Sequence, residues 1–165
     1  MRPPAALSEL TEAERLAVWA FRRWVAGHAR GDCGHWTLVL REFTRVCGGR
    51  GGRDCVAALA AFVRALCRHA GQVIAYHEPC CPCLGADEYR VISFLAACQR
   101  RDWGCAMALG ETLVVAEGIG DALAAGAKLS QLLERWGQVL PRRGAPAAGR
   151  LGLGREADLA SPTLH

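Results

Sequence analysis

The sequence predicts an all-α fold: a single compact bundle of five to six helices, with one short extended segment over 72–77 and a disordered C-terminal tail. Three observations carry that prediction. Apolar residues recur at three- and four-residue spacing along most of the chain, the period of a helix with one buried face. Residues suited to helix N-caps, Thr11, Asp54, Asp87 and Asp102, precede those stripes. The β-branched and aromatic signal of a strand is confined to one short run, "QVIAY". A chain of 165 residues suits one domain with a core of useful size.

Thr11 followed by Glu14 is a capping-box pattern, and Leu16, Trp19, Ala20 and Trp24 continue it as a helix over about 12–28 that breaks at "GHARGDCG". Trp36, Val39, Leu40, Phe43 and Val46 form a second stripe, ended by "CGGRGGR", which reads as a flexible loop. Asp54 then caps a third helix carrying Leu59, Phe62, Val63 and Leu66, with Gly71 as its stop. Asp87 opens a fourth helix with Val91, Ile92, Leu95 and Cys98 on one face. Asp102 opens a fifth through Ala106, Leu109, Leu113 and Val114. The tight "QRRD" connection predicts that the fourth and fifth form an antiparallel hairpin. "EGIGD" is a hinge, after which Leu123, Ala127, Leu129, Leu132, Leu133, Trp136 and Leu140 mark a sixth helix ending before Pro141. The organisation is therefore a flexible N-terminus over 1–10, a helical domain over 11–140 and a disordered tail over 141–165, rich in Gly, Pro, Ala and Arg.

Composition excludes several classes of function. Lys and Arg number 20 against 16 Asp and Glu, for a formal charge of +4, which is no nucleic-acid signature. The basic pairs Arg22-Arg23, Arg100-Arg101 and Arg142-Arg143 are scattered, and no aromatic residue is interleaved with "GGRGGR" to stack a base. Neither a secretory leader nor an uninterrupted apolar run long enough to span a bilayer is visible. The expectation is a cytoplasmic protein with no membrane contact, in which the nine cysteines stay reduced and serve as core filler, metal ligands or redox groups.

The chemistry is concentrated in "HEPCCPCLGADE", from His77 to Glu88. Cys80 and Cys83 have the Cys-x2-Cys spacing of a zinc knuckle, and His77 and Cys81 are further donors, so His77, Cys80, Cys81 and Cys83 are the candidate ligands for zinc or iron. A tetrahedral site would draw its remaining ligand from Cys33, His35, Cys47, Cys55 or Cys105. The same loop supports a second chemistry, a dithiol/disulfide pair in which Cys80 attacks and Cys83 resolves. The local Cys-x-Pro-Cys layout resembles that of thioredoxin-like proteins, over the loop alone and without the alternating strands of that fold. A third reading is structural: Pro79, Pro82 and Gly85 are turn residues, and the segment is then a rigid connector.

Cys67 and Cys98 fall on apolar faces and read as core. Arg90 misses the Cys-x5-Arg spacing of a phosphate-binding thiol loop, and no paired catalytic carboxylates or serine elbow appear, so an enzyme is the minority reading. Five tryptophans exceed what a core of this size needs, and some are candidate anchors for a protein partner. The functional expectation is a small cytoplasmic binding or regulatory protein acting through protein contacts, with a metal site at 77–83 as a candidate feature. The alternative is a thiol redox protein using Cys80 and Cys83. The oligomeric state is not legible.

Overall fold

The computed structural model describes residues 5–143 and shows an all-α compact packing of five helices. They are α1 (Glu12–Arg30), α2 (Cys33–His69), α3 (Ala86–Gln99), α4 (Trp103–Gly110) and α5 (Ile119–Arg135). The capping box of α1 forms as its spacing predicts: the Glu14 N–H donates to Thr11 Oγ1 at 3.3 Å, and the Thr11 N–H donates to Glu14 Oε2 at 2.8 Å. Gly31, with φ of 63°, ends α1, and Asp32 caps α2 by accepting from the Gly34 N–H at 2.8 Å. The Trp36 indole lies directly on Gly27 and donates to the Trp24 carbonyl at 3.2 Å, which fixes the close approach of α1 to α2.

"CGGRGGR" is not a loop. Only Gly48 leaves helical geometry, at φ 71° and ψ 170°, and the chain re-enters helix at once, so the predicted second and third helices are two halves of a kinked α2, 33–47 and 49–69. Asp54 accordingly lies inside the helix and caps nothing. The remaining glycines give the kink its tightness. Gly52 lies against the Thr44 backbone, where a Cβ would sit 2.6 Å from the Thr44 nitrogen, and Gly51 lies under the Trp136 indole. Glycine here supplies bare helix faces, a use that looks the same in sequence as a loop.

α3 is the central helix, with every residue from Val91 to Gln99 buried. A helix apolar on all sides needs neighbours on all sides. α1, α4 and α5 contact it, Phe94 stacks on Phe62 of α2 with ring centroids 5.9 Å apart, and Gly126 of α5 makes room for the Phe94 ring. α3 and α4 form the expected hairpin. α4 stops at Gly110, short of Val114, and Leu113 and Val114 are buried from the turn that follows. Gly118 ends a short 3-10 turn (Ala116–Gly118) that runs directly into α5, and Gly120 lies in the first turn of α5.

α5 ends at Arg135 and not at Leu140, because Gly137 takes φ of 75° and turns the chain. Leu140 still reaches the core in extended form: its N–H donates to Gln99 Oε1 at 2.7 Å, while Gln99 Nε2 donates to the carbonyls of Ser130 at 3.1 Å and Gln138 at 3.0 Å.

Among the described residues there are no strands, only two isolated bridges, Ala6 with Cys83 and Ala70 with Val114. The 72–77 segment is irregular, its Ala75 N–H held by Asp87 Oδ2 at 2.9 Å. At the N-terminus, residues 5–10 are tied to the domain, with Leu10 buried, the Leu7 N–H donating to the Pro82 carbonyl at 2.8 Å and the Leu84 N–H donating to the Ala5 carbonyl at 2.9 Å. Arg143 extends the ordered chain past 140 by pairing with the Glu14 carboxylate at 2.7 Å. The disordered stretch expected for the tail lies, from residue 144 on, outside the described residues. No helix among those described is long and apolar enough to cross a membrane.

Candidate functional site

The 77–85 loop is organised from below by one buried ion pair. Arg22 of α1 and Glu88 in the first turn of α3 have fully buried side chains. Arg22 Nε donates to Glu88 Oε1 at 2.6 Å and Nη2 to Glu88 Oε2 at 2.9 Å. The rest of the guanidinium donates to loop carbonyls: Nη1 to Cys81 at 2.7 Å and Glu78 at 3.4 Å, and Nη2 to Cys83 at 2.5 Å. All five N–H donors of the fork are thereby used, the condition under which a buried arginine is tolerated. Glu88 in turn accepts from the N–H groups of His77 at 2.9 Å and Gly85 at 2.7 Å, and its Oε2 lies 3.0 Å from His77 Nδ1. The loop also closes on itself, the Cys81 N–H donating to the Glu78 carbonyl at 2.9 Å. Its outer edge carries the exposed Arg30–Glu78 pair. The backbone of the segment is a tied connector, but Cys80 and Cys83 are exposed on it and do not pack beneath it. What sequence reasoning missed is the pair that holds it, although Arg22 shares a helix face with the buried Val18, Phe21 and Val25.

Burial acts to raise the Glu88 pKa, but the Arg22 hydrogen bonds, the His77 and Gly85 N–H groups and the Arg22 charge outweigh it and hold the carboxyl below its ordinary value of 4.5. Glu14 is likewise held low: burial opposes, and Arg143 and Thr11 prevail. A carboxylate whose pKa is depressed on folding stabilises the fold above its unfolded pKa, and that contribution is lost as pH falls through the folded value. Stability should therefore be flat above about pH 5.5 and fall progressively once pH drops below about 4.5, the carboxylate range. Urea midpoints measured from pH 7 to pH 3 test this. In Glu88→Gln the acid loss should be visibly smaller, and an unchanged slope would show that Glu88 does not supply it.

The thiols divide into distinct environments. Cys80 and Cys83 are exposed and Cys81 is half-buried. The thiol that hydrogen-bonds Cys83 is that of Cys81, and this bond, with the Cys81 charge, raises the pKa of Cys83, the resolving thiol of the redox reading. No group of three or more His, Cys, Asp and Glu side chains among the described residues is arranged to hold a metal ion. The tetrahedral set suggested by the spacing of His77, Cys80, Cys81 and Cys83 is thus not assembled here, and Cys33, His35, Cys47, Cys55 and Cys105 do not complete it. His35 Nδ1 lies 3.3 Å from Arg23 Nη1. Cys47 and Cys55 are buried and in contact with each other, at 3.9 Å. Cys98 is core, and burial pushes its thiol up to about 12.

A larger concavity than the loop offers lies between α1 and the first half of α2. It is an open groove of ≈ 890 Å³, with Leu7, Leu16, Trp19 and Val46 as its apolar floor and Glu12, Arg15, Glu42 and Arg45 around it. The floor residues pack on the core from above and stay partly exposed. The Arg23 guanidinium lies 5.6 Å from the Trp19 ring centroid, within cation–π range. Arg45 is paired with Glu42 at 2.6 Å, so two of the four charges are already matched within the chain. Against protein families, characterised proteins and solved structures alike, the chain has no match.

Proposed function

We propose that this is a small binding or regulatory protein whose α1–α2 groove receives an amphipathic helix from a protein partner. The groove itself carries the proposal: an apolar floor centred on a tryptophan, rimmed by charges of both signs. A helix with apolar residues at three- and four-residue spacing fits such a groove, and its flanking charges find opposite partners in Glu12 and Arg15, Glu42 and Arg45 being paired with each other. Trp19 is the expected hot spot, because a half-exposed indole already oriented by its neighbours loses little freedom on binding.

Site-specific photo-cross-linking in cells that express the protein tests the reading. A photoreactive residue at Leu16 or Val46 should give a discrete adduct whose partner peptide has helical apolar spacing, and Trp19→Ala should weaken capture at least about tenfold, the equivalent of about 1.4 kcal/mol. Ala57, exposed on the second half of α2, is the control position. Equal adducts at Ala57, an adduct to nucleic acid, or capture unchanged by Trp19→Ala in a normally helical protein would reject the groove.

A further inference from the structure

We propose that Cys47 and Cys55 form a two-thiolate site for a monovalent copper ion at the kink of α2. This goes beyond the groove reading and does not depend on it. The two sulfurs are buried and 3.9 Å apart, brought together because Gly48 turns the helix between them and Gly52 lets the two halves close. Two sulfurs bonded to one thiophilic metal at about 2.3 Å are separated by about 4.6 Å when linear, the arrangement of a two-coordinate ion, so the sulfurs, now in contact at 3.9 Å, must move apart by about 0.7 Å to take it. Both cysteines are free, and a disulfide would need the sulfurs at about 2.05 Å.

Donor count selects the metal. Zinc in a structural site takes four ligands, and no third donor joins these two among the described residues. Copper in its monovalent state is soft, prefers thiolate and is satisfied by two. A pocket of ≈ 370 Å³ reaches Cys47 but not the fully buried Cys55, and is lined by Gly48, Gly49 and Gly51 with Arg50, Asp54, Leu132, Arg135 and Trp136 around them. Loading breaks two S–H bonds, forms two Cu–S bonds and sends two protons to solvent, with no change in oxidation state. The site is left with one net negative charge, which Arg50 and Arg135 offset against the single carboxylate of Asp54.

The test uses the full chain carrying Cys80→Ser, Cys81→Ser and Cys83→Ser, which removes the loop thiols. Anaerobic titration with monovalent copper against the chromogenic chelator bicinchoninate should show one copper held per chain. That equivalent should disappear on adding Cys47→Ser or Cys55→Ser, and persist on adding Cys33→Ser or Cys105→Ser. Circular dichroism checks the fold of each variant. If the serine variants unfold, X-ray absorption of the copper-loaded triple variant gives the answer directly: two sulfur neighbours at about 2.3 Å support the site. Nitrogen or oxygen neighbours alone, no copper held against the chelator, or an equivalent that survives both Cys47→Ser and Cys55→Ser overturn it.

Discussion

Arg22→Ala should lower the stability of the protein by about 3–5 kcal/mol, the cost of leaving one partner of a buried ion pair alone. The loss is large because three things fail together. The Glu88 carboxylate stays buried without its counter-charge, the carbonyls of Glu78, Cys81 and Cys83 lose their donors, and the connection between α1 and the start of α3 is cut. Against a typical total of about 5–15 kcal/mol for a domain, such a change removes about a fifth of the margin or more. Arg30→Ala is the matched comparison, since the Arg30–Glu78 pair joins the same loop but its side chains are 45% and 47% exposed. There the expected loss is at most about 1 kcal/mol. The double variant Arg22→Met with Glu88→Gln should be more stable than Arg22→Ala alone, because it leaves no buried charge unpaired. Urea unfolding monitored by circular dichroism separates the three. If Arg22→Ala and Arg30→Ala unfold at the same midpoint, the pair does not hold the loop.

This pair also shows where the sequence stops being informative. Features set by neighbours a few residues apart were readable: the Thr11–Glu14 box, the Asp102 cap, the α3–α4 hairpin and the apolar stripe of α3 all formed as their spacing requires. Arg22 and Glu88 are 66 residues apart, and each alone looks ordinary, one as half of a surface basic pair, the other as an acid in a first helical turn. Only the packing of α1 against α3 makes them a unit. The α5 boundary fails for a related reason. Trp136 and Leu140 continue the helical period by four residues, but period says only which residues seek the core, and Gly137 lets Leu140 reach it from an extended chain. In the candidate site the cysteines drew attention by their density. Their chemistry depends on which sulfurs meet, and the meeting of Cys47 with Cys55 is made by a helix kink whose glycines read as a loop.

Those glycines give the second large effect. Gly52→Ala should cost about 3 kcal/mol or more, at the upper end of what overpacking does in a tight interior. The added Cβ would lie 2.6 Å from the Thr44 nitrogen and 2.7 Å from its Cα. Backbone atoms in a helix cannot swing aside, so the two halves of α2 must separate. Gly51→Ala meets the Trp136 indole instead, at 2.6 Å, but that side chain is 40% exposed and can turn outward, so its cost should be smaller. At Gly49 a Cβ meets nothing within 4 Å. Ala there should be neutral or stabilising by up to about 1 kcal/mol, because it removes unfolded-state freedom from a helical position. The order of urea midpoints is therefore Gly52→Ala lowest, then Gly51→Ala, with Gly49→Ala at or above the parent. A Gly52→Ala protein as stable as Gly49→Ala would mean that the two halves of α2 do not touch at Thr44. With the halves in contact, opening the kink has two further consequences. It shifts Arg45 and Val46, which line the α1–α2 groove, and it draws Cys47 away from Cys55. The same variant should therefore lose partner capture at the groove and copper at the dithiol together, whereas Gly49→Ala should keep both.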